Sequence, residues 1–333
     1  MPLTPPFPPA VLQRRLLLAA ALLCPAAALH AQPLPAKPIT LVLPAPPGGA
    51  VDAIGRAMAE QLGKALGQTV IVDNRPGASG MLAAQTVARA APDGSTLLLT
   101  HTTPVAYTPH MFSKMAYETT RDFAFITQIC EADLVFAVNK DVPARTLKEF
   151  VAWAQARRGK LSYGSYGMGS GGHLMSAYLS ESRQLDMTHV PYKGEAPMIQ
   201  DLIGGQIPWA LGTAGTLAPQ IAAGKLRALA VTGPKRFAQL PEVPTFAESG
   251  FPDDEFRVIG GILLMAPAAV PAPLLATLEK AARDAVASTA MKARFQVYGL
   301  RGVGDSGAAA RKAFDDSMPL IAKLVKVSGV KMD

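Results

Sequence analysis

From Lys37 the hydrophobic pattern alternates between strand-like and helix-like segments. Ile39 to Leu43 is a short apolar run that reads as a buried strand, ended by a Pro/Gly loop from Pro44 to Ala50. A helix follows from about Asp52 to Leu66, because Val51, Ile54, Met58, Leu62 and Ala65 recur on one face. Gly67 stops it, Val70 to Val72 reads as the next strand, and Arg75-Pro76-Gly77 turns into a helix over Met81 to Ala90. Pro92-Asp93-Gly94 is a turn before a third strand, Thr96 to Thr100. Strand, helix, strand, helix, strand predicts a parallel sheet with crossover helices.

A less regular stretch follows, and Leu134 to Val138 opens a second series. Helices over 146–157, 173–182, 196–203 and 216–223 lead in turn to strands over 161–165, 188–190, 207–211 and 226–231. The piece from Pro241 to Pro244 closes this series. Val258 to Met265 reads as a strand leading to helices near 272–287 and 308–326. Two α/β lobes account for this order, with the C-terminal part returning to the first.

The residues ahead of Lys37 do not belong to this pattern. Five prolines fall in the first nine positions, Arg14-Arg15 follows, and an apolar run from Leu16 is broken at Pro25 before small residues reach Ala31. A basic patch, a short apolar core and a small residue before a polar stretch describe a secretory signal peptide over residues 1–31. Leu16 to Leu29 is only 14 residues, too short to span a bilayer. Export by the general or the twin-arginine route stays open, and Leu22-Leu23 before Cys24 are too bulky for a lipoprotein site. Taking 31 residues from 333 leaves a mature chain of 302 with Cys130 as its one thiol, so it closes no internal disulfide and two sizeable cores must carry stability.

Composition narrows the function classes. The chain is 49% hydrophobic and 17% charged, which excludes a disordered chain or a coiled coil. Aromatics are 6%, leaving few bulky anchors. The formal charge of +7 is scattered, its densest cluster being Arg157, Arg158 and Lys160, and this is not the stripe a phosphate backbone demands. Nucleic acid is therefore not the expected partner. Four histidines (His101, His110, His173, His189) remain in the mature chain without metal-ligand spacing, and no metal is expected.

Three glycine-bearing loops carry the candidate chemistry. Gly167-Met168-Gly169-Ser170-Gly171-Gly172 matches GxGxxG between a strand and a helix, but Asp186 precedes the next strand instead of ending it, so no dinucleotide cofactor is expected. What the loop offers is close backbone approach and free amides at a helix start, both suited to an anion. Pro46-Pro47-Gly48-Gly49 repeats that design after the first strand, with Asp52 as a helix cap or a site residue. Asn74 to Gly80 reads as a tight turn. Ser165 and Ser170 both lack the first glycine of GxSxG, so no catalytic residue is expected.

Read in order, Lys37-Pro38-Ile39-Thr40-Leu41-Val42-Leu43-Pro44 through Pro47-Gly48-Gly49-Ala50-Val51-Asp52 resembles the opening of the Bug family, extracytoplasmic receptors of tripartite tricarboxylate transporters. The resemblance continues through Asp73-Asn74-Arg75-Pro76-Gly77-Ala78-Ser79-Gly80, Ala91-Pro92-Asp93-Gly94, Leu161-Ser162-Tyr163-Gly164-Ser165, His189-Val190-Pro191-Tyr192-Lys193-Gly194, the Gly224 to Val231 segment, Leu240 to Thr245 and Ala266-Pro267. It implies an α/β, two-lobed periplasmic binding protein fold of type 2-like form, with lobe 1 over 33–133 plus 258–333 and lobe 2 over 134–257. It also implies a periplasmic receptor that closes on a small carboxylate and hands it to inner-membrane permease subunits. A same-fold receptor for a sensor kinase, and an exported hydrolase, are the alternatives. The site residues it implies are Pro47, Gly48, Gly49 and Asp52, then Thr102 and Thr103, then Ser165, Gly167, Gly169, Ser170 and His173. This chain departs from the pattern at Tyr166, in place of a small residue. Gly212 and Thr213 replace an Asp-Asn pair, and Gly261 replaces a tryptophan. Losing that acid argues against a ligand ammonium group, and the changed rings suggest a reshaped far end of the pocket.

Overall fold

The computed structural model describes residues 36–332 apart from Ile259. The leader expected over residues 1–31 lies outside them, as does Cys24. The first series is β1 (Ile39–Leu43), α1 (Ala50–Leu66), β2 (Val70–Asn74), α2 (Met81–Ala88) and β3 (Thr96–His101). Both β2 and β3 run parallel to β1. Helix α1 forms where its period placed it: Ile54, Met58 and Leu62 are fully buried, and Gly67 ends it in the left-handed region at φ 63°.

The stretch that looked irregular holds β4 (Phe123–Ala132), the longest strand of the fold as described. Its residues are buried or half-buried on both faces, so the alternation that marks a one-sided strand is missing. The chain crosses at Asp133 into β5 (Leu134–Asn139). A second series then runs through α3 (Leu147–Gln155), β6 (Ser162–Ser165), α4 (Gly171–Ser182), β7 (Thr188–Pro191), α5 (Glu195–Ile203), β8 (Trp209–Thr213), α6 (Ala214–Ala222) and β9 (Leu226–Val231). It then returns as β10 (Gly260–Pro267), α7 (Ala272–Ala287), α8 (Thr289–Tyr298), the two-residue β11 (Arg301–Gly302) and α9 (Gly307–Ser328). Helix α8 was not expected from the pattern.

Two sheets result, with strand orders β11-β4-β10-β3-β1-β2 and β7-β6-β8-β5-β9. Both are mixed, which corrects the all-parallel expectation. In the first, β10 enters antiparallel between β3 and β4; in the second, β5 lies antiparallel between β8 and β9. The crossing strands are tied together, since Leu134 N donates to Thr232 Oγ1 and Thr232 N to Leu134 O, both at 2.9 Å. Helix α9 packs on β4 of one sheet and on α4 of the other.

Sparse aromatics do not leave the core without anchors, because they are concentrated. Phe136 stacks on Trp209 at 4.5 Å and meets Phe150 edge-on at 4.8 Å, all fully buried in the second lobe. One face of the first lobe's sheet is instead mostly aliphatic, with Ile39, Leu41, Leu43, Leu97 and Leu99 of its strands packed against Ile54, Met58 and Leu278. Cys130 is fully buried there and unpaired, its thiol pushed up to about 12 by burial.

Candidate functional site

A cleft of about 780 Å³ lies between the two sheets. It is bounded by loops leaving the C-terminal ends of β1, β3, β6 and β8, the edge where open α/β sheets take ligands. From the first lobe come Pro46, Ala50 and Val51, then Ser79, then His101, Thr102 and Thr103. The second lobe adds Tyr166, Gly167, Ser170, Gly171, Glu195 and Thr213.

The first loop is set by Asp52. This buried carboxylate is not the helix cap, a position held by Gly49. It reaches back from the third helical residue to accept from Gly48 N at 3.0 Å, and also takes Arg56 Nε and Asn74 Nδ2, each at 3.0 Å. Chiefly through Arg56, with the Gly48 amide and Asn74 adding to it, its pKa is held at about 2 despite burial. Pro47, Gly48 and Gly49 are exposed at the rim, and Asp52 stands behind the wall. The lining residues are their neighbours Pro46, Ala50 and Val51, at the first turn of α1, where amides have no intrahelical acceptor. The Asn74 to Gly80 segment is more than a turn. Ala78 and Ser79 sit at φ 47° and 53°, a costly region for residues with a Cβ, and Ser79 lines the cleft.

Thr102 and Thr103 are brought to the cleft by a π-helical turn over Thr103–Tyr107. Thr103 N donates to His101 Nδ1 at 3.3 Å, and burial holds His101 at about 4, so it faces the cleft as a neutral ring.

The β6 loop is largely satisfied from within. Ser170 caps α4 by accepting from His173 N, and its hydroxyl donates to Gly167 O at 2.7 Å. Gly169 N donates to His173 Nδ1 at 3.1 Å. The His173 ring stacks on His189 with centroids 3.7 Å apart, and His189 Nε2 meets Ser165 Oγ at 2.7 Å. Ser165 is fully buried, its hydroxyl lying between Gly167 O at 3.1 Å and His189 Nε2 at 2.7 Å, and it is not among the residues that line the cleft. Of the expected residues, Thr102, Thr103, Tyr166, Gly167, Ser170 and Thr213 line the cavity; Ser165, Gly169 and His173 build the floor beneath.

Tyr166 takes a place a ligand oxygen would suit. Its hydroxyl accepts from Gly172 N, in the first turn of α4, at 3.3 Å. Burial, and then the charge of Glu195, push its phenol well above the usual range. Glu195 went unread in the sequence. Its carboxylate accepts from Thr213 N at 2.6 Å and from Thr213 Oγ1 at 2.8 Å, so the cleft keeps an acid although Gly212 and Thr213 stand in place of the Asp-Asn pair that the resemblance leads one to expect. Gly212 faces the core, since a Cβ there would meet Leu217 Cδ1 at 2.9 Å. A Cβ on Gly261 would lie 2.4 Å from Cys130 O, so that position answers to strand packing. Across the mouth, Met168 and Val297 are 47% and 69% exposed, and both line the cleft. Among the described residues no group of three His, Cys, Asp or Glu is placed to hold a metal, and no helix is long and apolar enough to cross a membrane.

Comparison with known proteins places this geometry. A family described as the tripartite tricarboxylate transporter family receptor matches residues 54–328. Protein BugT of Bordetella pertussis is 30% identical over 308 residues, covering 92% of this chain and 94% of its own. The Rhodopseudomonas palustris protein Rpa4515, solved with adipate, is 29% identical with a TM-score of 0.77, over 89% of this chain and 99% of that one. MatC of the same organism, solved with malate, is 28% identical with a TM-score of 0.73, over 87% and 99%.

Proposed function

The chain belongs to the tripartite tricarboxylate transporter receptor family, and from that premise we propose that it captures a small carboxylate in the periplasm and delivers it to permease subunits in the inner membrane. The observation that carries the reading is the cleft itself, bounded by strand-end loops of two sheets in a fold whose relatives were solved with adipate and malate. One carboxylate group sits against the first turn of α1 at Ala50 and Val51, where free amides and the helix dipole favour an anion. Thr102, Thr103 and the Gly167–Gly171 loop complete its surroundings. The lobes are residues 33–133 with 258–333, and 134–257; the first range holds every described strand of one sheet and the second every described strand of the other. They close over the ligand by rotation at the crossings near Asp133 and Gly260. The receptor turns nothing over, a reading supported by the burial of Ser165 behind the cleft wall, out of reach of a ligand there.

A thermal-shift screen over carboxylates tests this. A ligand that binds only the folded chain raises the melting temperature, by about 2.7 kcal/mol of stabilisation at one hundred times its Kd. A broad panel of mono-, di- and tricarboxylates that leaves the midpoint unmoved would sink the reading.

A further inference from the structure

The end of the cleft facing the second lobe carries a charge pattern that bears on which carboxylates fit. Gly194, at φ 103°, turns the chain at the start of α5, and Glu195, its first residue, reaches across to the end of β8. Two hydrogen bonds to Thr213, at 2.6 and 2.8 Å, use each carboxylate oxygen once. An ionised carboxylate has about four acceptor positions, so each oxygen keeps capacity to take another donor. Thr213 is itself braced, its hydroxyl lying 3.1 Å from that of Thr216, which donates to Thr213 O at 3.0 Å. Glu195 is thus a fixed, half-buried acceptor on the wall.

The cleft wall offers it no counter-charge. Among the described residues lining the cleft none is lysine or arginine, Glu195 is the one carboxylate, and His101 is held neutral by burial. Much of the remaining wall is apolar or aromatic, including Tyr107, Tyr166, Met175, Val297 and Tyr298. A first carboxylate on the ligand finds backbone amides at α1. A second one, carried to the far end of the ligand, meets Glu195 with nothing to neutralise the pair, and like charges brought together out of water are costly. A hydroxyl or an ammonium at that end meets an acceptor already oriented to receive it.

Resting on the carboxylate-receptor reading above, we infer that the ligand is a monocarboxylate with an apolar body whose far end bears a hydrogen-bond donor, taken by Glu195, and that a second carboxylate is rejected there. Glu195 is the specificity-determining residue of the cleft. This reverses the expectation, drawn from Gly212 and Thr213, that an ammonium group is excluded.

Calorimetry on the purified receptor at neutral pH tests it with two length-matched sets. One is adipate, 6-hydroxyhexanoate and 6-aminohexanoate; the other is terephthalate, 4-(hydroxymethyl)benzoate and 4-(aminomethyl)benzoate. In whichever set binds, the hydroxyl or ammonium member should bind at least about tenfold more tightly than the dicarboxylate. In Glu195→Gln that ratio should shrink to within about threefold, the dicarboxylate gaining and the ammonium member losing. A merely structural role for Glu195 would weaken all members alike and leave the ratio standing, which would overturn the assignment. A dicarboxylate that binds the unaltered receptor as tightly as its partners would overturn it without any variant. If no member of either set binds while another carboxylate of the thermal-shift panel does, the inference is overturned and the carboxylate reading stands; if nothing in that panel binds either, both fall.

Discussion

His173 and His189 are held near neutrality by their surroundings. Burial lowers both to about 4, and for His173 the adjoining His189 ring adds to it. The unfolded chain takes up these protons near pH 6.5, the fold only near 4, so between those values the unfolded state binds more protons and stability is lost as the pH is lowered from 6.5 towards 4. The loss should be on the order of 3 kcal/mol for the pair. Calorimetric melting from pH 7 to 4.5 should show it, and His189→Gln should lessen the slope; a flat profile over that range would contradict the burial of the stack. Asp52 acts in a different window. Its pKa is depressed to about 2, so its contribution is complete above the ordinary value of 3.8 and is lost only as pH falls from there towards 2. At this scale the sequence was partly legible. Loop glycines, Thr102, Thr103 and Tyr166 stand beside strand ends that hydrophobic runs reveal. Glu195 does not, because its role depends on an 18-residue return that lands its carboxylate on Thr213.

Strands and helices were legible where one face is buried and the other wet. Helix α1, with its apolar residues at 3.6-residue spacing, and β1, bounded by Pro44, could be read to within two residues. Strand β4 could not, since a strand buried on both faces shows no period, and α8 is too weakly two-faced to stand out from its flanks. Pairing direction was also hidden: no local pattern says that β10 will slot antiparallel between β3 and β4. That placement makes Gly261 a packing residue. Gly261→Ala puts a Cβ 2.4 Å from the Cys130 carbonyl and 2.9 Å from Gln128 Nε2. It should cost about 2 kcal/mol, read as a lower urea midpoint with an unchanged slope. A neutral effect would mean that the two strands part easily at this bulged register.

Between the lobes, α6 and α8 meet backbone to backbone. A Cβ on Gly215 would lie 2.1 Å from Tyr298 O, and one on Gly299 would lie 2.4 Å from the Gly215 Cα. No side chain fits at either glycine without displacing backbone. Gly215→Val should therefore hold the lobes apart more than it unfolds either one. Small-angle scattering should give a larger radius of gyration than for the unaltered chain, and affinity for any cleft ligand should drop. A variant with the same scattering profile would show that the seam yields locally.

The return of β10 after the second lobe also orders events in time. All described strands of the five-stranded sheet lie in one continuous stretch, Leu134 to Val231, whereas the other sheet is incomplete until Gly260–Pro267 arrives to join β3 to β4. Contacts closed over short stretches of chain form sooner than those closed over long ones. In refolding, amides of β5, β8 and β9 should gain protection from hydrogen exchange ahead of those in β3 and β4. Until β10 docks, β3 and β4 present unpaired edges, each able to accept a strand from another molecule. Aggregation during refolding should thus rise steeply with protein concentration in that interval and cease once the late strand is seated.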